Sequence, residues 1–259
     1  MSRTTIDFGI DLGTTNSAIA ILRGTNTEII KNNLQHDITS SAVFIDKRKQ
    51  IHVGERAKNR LEHEDSADDV YIEFKLRMGS DHPYKFKTSG LIMKPEELSS
   101  EVLKSLRADV QPCLGENVQS AVITVPAVFE QKQCSATKKA AELAGFSQCP
   151  LLQEPVAASL AYGFQSDVTK GFWFIYDFGG GTFDAAIMKA EEGSIHVVNH
   201  GGDNSLGGSH IDWAIVEQLI IPELIDNYNL PDLSRGNKEC RAALAKIKRA
   251  AEIAKIQLS

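Results

Sequence analysis

Two segments of this chain carry the same set of residues able to hold a phosphate and a metal ion together. In each, an apolar strand runs into one aspartate and then a turn rich in glycine and threonine. The first reads Ile10-Asp11-Leu12-Gly13-Thr14-Thr15-Asn16 and the second Tyr176-Asp177-Phe178-Gly179-Gly180-Gly181-Thr182. Glycines permit a tight turn whose backbone N–H groups converge on an anion, and threonines add hydroxyl donors. An aspartate at the end of such a strand is placed to hold a divalent cation through its water shell, because magnesium takes oxygen ligands and dehydrates reluctantly. One copy alone is equally well explained as a β-hairpin with a reversing turn. Two copies sharing an Asp-x-Gly core point instead to two lobes closing on one nucleotide. No Walker loop is present and strand, not helix, is expected after each turn, which disfavours the P-loop and dinucleotide folds.

The elements that would position these residues follow from apolar spacing. The first hairpin spans Ile6 to Leu22, with a further strand expected at Glu28 to Lys31. Residues 36–117 read as an inserted α+β subdomain: strands Ala42 to Ile45 and Ile51 to Val53, a helix around Glu55 to Leu61, and a helix from Pro95 with Leu98, Val102, Leu106 and Val110 on one face. A buried strand follows at Ala121 to Ala127, then an alanine-rich helix from Lys132 to Ala144 stopped by Gly145, and a helix opened by Glu154 and Pro155. Beyond the second hairpin come a strand at Ser194 to Val198, a Gly-rich crossing from Gly201 to Gly208, and a long helix from Ile211 to Asn227. In the last helix, Leu244, Ile247, Ala251, Ala254 and Leu258 form the expected core face, with Lys and Arg elsewhere. The division expected is lobe I at 1–167 and lobe II at 168–259, its smaller subdomain beginning near 207.

Composition narrows the partners. With 259 residues, 42% of them hydrophobic, the chain can bury a substantial core. A net charge of −6 provides no field that would attract nucleic acid or an anionic membrane. No apolar run approaches the roughly 18 residues that span a bilayer. The four cysteines lack C-x-x-C spacing, which fits a reducing cytoplasm better than a disulfide framework or a zinc site. His196 and His200 fall in a strand-and-turn segment where their spacing does not converge on a metal.

Taken together, the segments Gly9 to Ser17, Val125-Pro126-Ala127, Glu154 to Ala158, Asp177 to Asp184 and Leu206-Gly207-Gly208 resemble the nucleotide-binding domain of the 70-kilodalton heat-shock chaperones of the DnaK type. That family sits within the superfamily of actin and sugar kinases. The resemblance implies an α/β, actin-like ATPase fold of duplicated ribonuclease-H-like lobes, the second incomplete after Ser259, and hence a fragment of a longer protein. It also implies ATP or ADP with magnesium. Gly13, Thr14, Thr15 and Asn16 would wrap the phosphates with Gly179, Gly180, Gly181 and Thr182, while Asp11 and Asp177 order the metal's waters. Lys75 would orient the attacking water, with Glu154 completing that network. Gly207, Gly208, Glu252, Lys255 and Ser259 match cofactor-contacting positions.

Slow ATP hydrolysis is the implied activity; a binding module without turnover, or an actin-like or sugar-kinase relative, is the alternative. The implied partners are client proteins, engaged through a separate substrate-binding domain, a J-domain co-chaperone and a nucleotide-exchange factor, with the chain itself a monomer. Four features depart from the family pattern. Cys134 replaces an arginine and Ser40 a proline, and the insertion is short between Pro83 and Lys94. Ile256 stands where an arginine usually stacks on the base, so weaker base binding is expected, by about 0.5–2 kcal/mol.

Overall fold

The computed structural model describes residues 5–165, 170–191 and 194–259; the expected lobe boundary at 167/168 lies outside the described residues. The fold is mixed α/β. The first hairpin pairs β1 (Phe8–Leu12) with β2 (Asn16–Arg23), and β2 also pairs with β3 (Asn26–Ile29) and the short β4 (Thr39–Ser40). The inserted region follows as a second small sheet, with β5 (Ala42–Ile45) between β6 (Ile51–Val53) and β7 (Val70–Ile72). The expected helix there is one α-helical turn, α1 (Glu55–Lys58), continued by a 3-10 turn over Asn59–Glu62. A short hairpin, β8 (Tyr84–Lys85) and β9 (Ile92–Met93), leads into α2 (Pro95–Leu114). Pro95 opens α2 as expected, its missing N–H being one that the first turn leaves unpaired anyway.

The chain returns to the first sheet through β10 (Val122–Val125), parallel to β1, then α3 (Gln131–Leu143) and β11 (Leu151–Gln153), parallel to β10. Gly145 ends α3 at φ +83°, where an added side chain would be strained and would meet Arg107 Nη1 at 2.6 Å. Alternation on β1 and β2 sends Ile10, Ile19 and Ile21 inward, where they meet Leu98, Leu103 and Leu106 of α2 and Ile123 of β10 in the main core. Burial of this size is the main stabilising term, roughly 25 cal/mol per Å² of apolar surface. It fixes the loop after β1 on a rigid base.

Next, α4 (Glu154–Gln165) leads toward the second hairpin, β12 (Gly171–Phe178) and β13 (Phe183–Glu191), which with β14 (Ser194–Asp203) makes a three-stranded antiparallel sheet. Strand β14 runs past the expected end at Val198 and takes Gly201 and Gly202 into the ladder. The reason is space: a side chain at Gly202 would lie 2.3 Å from the Phe183 carbonyl oxygen. Phe172, Phe174 and Tyr176 stay exposed along β12.

The expected long helix is broken into α5 (Gly208–Ile215), a π-helical stretch Val216–Ile220 and α6 (Ile221–Asn227). Pro222 explains the break, because it cannot donate into the ladder and its ring crowds the preceding turn.

Helix α7 (Arg241–Leu258) corrects the expected face. Leu244 and Ala251 are buried, but Ala254 is exposed and Leu258 is 89% exposed. Instead the helix leans on its charged side, because the element opposite presents Glu55, Glu62, Asp68 and Glu73 to its lysines and arginines. Leu244→Ala should therefore cost about 2–4 kcal/mol in urea unfolding, whereas Leu258→Ala should change stability by less than about 0.5 kcal/mol.

Candidate functional site

The two glycine turns meet face to face. A side-chain carbon at Gly180 would sit 2.0 Å from the Thr15 hydroxyl, and one at Gly181 would sit 2.5 Å from Thr14 Cγ2. Glycine at these positions is thus a condition for the two hairpins to approach at all. The crossing before α5 seals the arrangement. Gly208 N–H donates to the Gly179 carbonyl at 2.9 Å and Ser209 N–H to that of Gly180 at 2.8 Å, while a side chain at Gly207 would strike Gly181 N at 2.6 Å. In the first turn, a carbon at Gly13 would lie 2.0 Å from the Asn16 carbonyl oxygen. Gly13 N–H donates to Ser17 Oγ at 3.1 Å, and Ser41 Oγ donates to the Gly13 carbonyl at 2.8 Å.

A cavity of about 570 Å³ opens where the turns meet. It is lined by Asp11, Gly13, Thr14, Thr15, Asn16, Lys75, Glu154, Asp177, Gly179, Gly180, Thr182, Gly208, Glu252 and Lys255. Gly181 and Gly207 stand behind this wall as packing positions. Ser259 lies apart, exposed at the end of α7 with its hydroxyl donating to the Lys255 carbonyl at 2.7 Å. Ile256 is 64% exposed and does not line the cavity.

The cavity's charges are unbalanced. Lys75 sits on a 3-10 turn, Phe74–Arg77, entered through Glu73 at φ +57° and anchored by the buried Phe74. Its ammonium donates to Glu154 Oε1 at 2.8 Å, both side chains being largely buried. Burial pushes the Glu154 carboxyl up; Lys75 pulls it back, and Asp11 and Asp177 push it further up. Asp177 is likewise raised, by burial first and then by the neighbouring Asp11.

One residue that sequence reasoning passed over belongs to this group. Asp184 on β13 lies directly across the ladder from Asp177, whereas the matching partner of Asp11 in the first hairpin is Ala18. Asp184 is buried, its carboxylate oxygens find no hydrogen-bond partner at normal distance among the described residues, and its carboxyl is raised by burial and by Asp177. Like charges facing each other across strands repel. The available signal was the extra aspartate that breaks the repeat's symmetry.

Magnesium and a nucleotide phosphate fit this donor set. The Thr14 and Thr15 hydroxyls are buried without partners, the pattern left when an oxygen ligand is to supply them. No three carboxylates, histidines or cysteines converge closely enough among the described residues to ligate an ion directly, so the fit is to a hydrated magnesium ion, whose waters Asp11 and Asp177 can accept from. Beside the cavity, α7 is tied to the inserted region: Glu252 pairs with Lys58 at 2.9 Å, Lys248 with Glu73 at 3.4 Å, and Arg249 with Glu55 and Glu62 at 3.0 Å each. Lys255 donates to the Gly208 carbonyl at 2.9 Å and pairs with Asp212 at 2.5 Å.

Comparison with known proteins decides the family, because the "Hsp70 protein" family matches residues 7–259. The chain belongs to the Hsp70 family. It is 39% identical over 251 residues to the chaperone protein DnaK of Halobacterium salinarum, in each of two strains, covering 97% of this chain and 38% of the relative. The chain thus spans 38% of the length of these relatives. Among the described residues, no helix is long and apolar enough to cross a membrane.

In this Hsp70 domain, raised carboxylates carry a sign that can be checked. A folded-state value above the unfolded one gives stability that is full at low pH and lost as pH rises through the raised value. Removing the charge at Asp177 should therefore help the ligand-free protein near neutrality. In chelator, Asp177→Asn should raise Tm at pH 7 by about 1–3 °C and leave it unchanged in acid where Asp177 is protonated. A lower Tm at pH 7 would refute the repulsion.

Proposed function

We propose that this chain is the ATP-binding, slowly ATP-hydrolysing part of a DnaK-type chaperone, with an actin-like architecture in which lobes 1–167 and 168–259 close on the nucleotide. The observation that carries this reading is the face-to-face approach of two glycine turns over a cavity holding the Lys75–Glu154 pair beside Asp11 and Asp177. Thr14, Thr15 and Asn16 from the first turn and Gly180 and Thr182 from the second, with the three threonine hydroxyls, hold the phosphate oxygens, while Gly13 and Gly179 shape the turns through N–H groups bonded to Ser17 Oγ and the Thr182 carbonyl. Asp11 and Asp177 would hold magnesium through its waters, with Asp184 adding negative charge behind them. Magnesium, when bound, neutralises charge on the phosphate oxygens during transfer.

Phosphoryl transfer needs positioning and charge stabilisation more than covalent chemistry. Lys75, buried and fixed by Glu154, directs its remaining N–H bonds into the cavity, where they orient a water for in-line attack. Glu154 is acceptor-only when ionised, so it holds the ammonium and can take a proton from that water through the network. Glu252 and Lys255 line the α7 side of the cavity, where the nucleoside would lie.

In the full-length protein, the nucleotide state would control client proteins bound at a separate domain, with a J-domain co-chaperone and an exchange factor acting on this one. We place the protein in the cytoplasm as a monomer. The test is magnesium-dependent phosphate release from ATP under single turnover. Lys75→Ala should lower the rate by about 100-fold or more while ADP affinity stays within a few fold. Equal rates in wild type and variant would remove Lys75 from the chemistry, and binding without any release would leave a nucleotide-controlled module.

A further inference from the structure

The inserted region carries a second cleft of about 830 Å³ that shares no lining residue with the nucleotide cavity. Its wall includes the Phe44 ring, on which His52 stacks at 5.5 Å between centroids while the Arg60 guanidinium lies 5.6 Å from the ring centre. Lys47, Arg48 and Arg56 also line it. None of these four cations, Arg60 included, forms an ion pair among the described residues.

The acids of the cleft are already committed. Asp46 Oδ1 accepts from the N–H groups of Arg48 and Gln50 at 2.8 and 2.9 Å, and its Oδ2 faces His52 at 3.4 Å. Asp69 accepts from both the N–H and the hydroxyl of Thr88, and Asp65 from Ser66 Oγ at 3.1 Å. Four cations with no ion-pair partner among the described residues therefore line a concavity large enough for a small molecule, beside three carboxylates whose oxygens are largely taken up by hydrogen bonds. The cations outnumber the three carboxylates of the cleft, and all four side chains are exposed, free to turn toward an anion held in it.

We propose that this cleft binds a multiply charged small anion bearing phosphate or carboxylate groups, with Arg56 and Arg60 as the principal contacts. Guanidinium forks match both groups in bidentate geometry, and stacking on Phe44 orients the Arg60 fork. One turn links the cleft directly to α7, since Arg56 stands between Glu55 and Lys58, whose partners Arg249 and Glu252 lie on that helix. An anion held by Arg56 therefore sits next to the ion pairs that fasten α7 to the insertion.

Backbone-amide NMR of the magnesium-free chain, titrated separately with pyrophosphate and with citrate, tests this. Saturable shifts in residues 44–69 with either anion, at a Kd of about 1 mM or tighter, are expected, and the anion that binds more tightly identifies the phosphate or the carboxylate source. Arg56→Glu with Arg60→Glu should weaken that binding by about tenfold or more while shifts at 13–16 and 179–182 with pyrophosphate persist. Should loss of the Arg60–Phe44 stack unfold the insertion, Lys47→Glu with Arg48→Glu in the exposed turn gives the same readout. Shifts confined to 13–16 and 179–182, or shifts at 44–69 that neither charge reversal alters, would overturn the proposal.

Discussion

Negative charge concentrated at the junction of the two hairpins sets the terms for the rest of this molecule. Asp11, Asp177, Asp184 and Glu154 are drawn toward one place, and the buried ammonium of Lys75 answers only the last of them by direct contact. A protein left to optimise stability would not place Asp184 opposite Asp177 across a ladder. The arrangement stands because the hydrophobic contacts of α2 with the first sheet hold one hairpin rigidly, while the second hairpin is held by its own ladder and by the Gly208 and Ser209 hydrogen bonds. A bound cation would relieve such repulsion, and ligand binding would then stabilise the fold.

Glycine is the second constraint, and it serves the first. Bringing two backbone turns this close requires that nothing project between them, and Gly180 and Gly181 meet Thr15 and Thr14 at distances that no side chain tolerates. Around this fixed centre the polar contacts of α7 act differently. Its ion pairs to the inserted region are partly exposed, so each contributes little and is screened by salt. They form a fastening that can open without unfolding either side. Tight, apolar support beneath the glycine turns and looser, charged support along α7 are the two different ways in which the walls of this cavity are held.

Much of this was legible in the sequence, for reasons that separate short-range from long-range physics. The twin hairpins, the Pro95 start of α2 with its Leu98 to Val110 face and the Glu154 start of α4 depend on local periodicity and end chemistry, and each was read correctly from residue types alone. The α7 face was misjudged because Leu258 continues an apolar spacing that has nothing to pack against among the described residues, while the lysines and arginines off that face meet acids more than a hundred residues away in the chain. Such complementarity has no local signature. Asp184 was quoted within a motif yet given no role, since its partnership with Asp177 depends on ladder register. Lys75 shows the opposite case: nothing around it in the chain marks it out, and family resemblance placed it where its contact with Glu154 is observed.

The central claim is that the carboxylate cluster and the glycine turns form one site for a metal-bound nucleotide phosphate. Calorimetric titration of ADP with magnesium and again with chelator tests it most directly. The account predicts one molecule bound per chain, with affinity at least about tenfold weaker without magnesium. Binding that is indifferent to magnesium, or no binding in either condition, would contradict it.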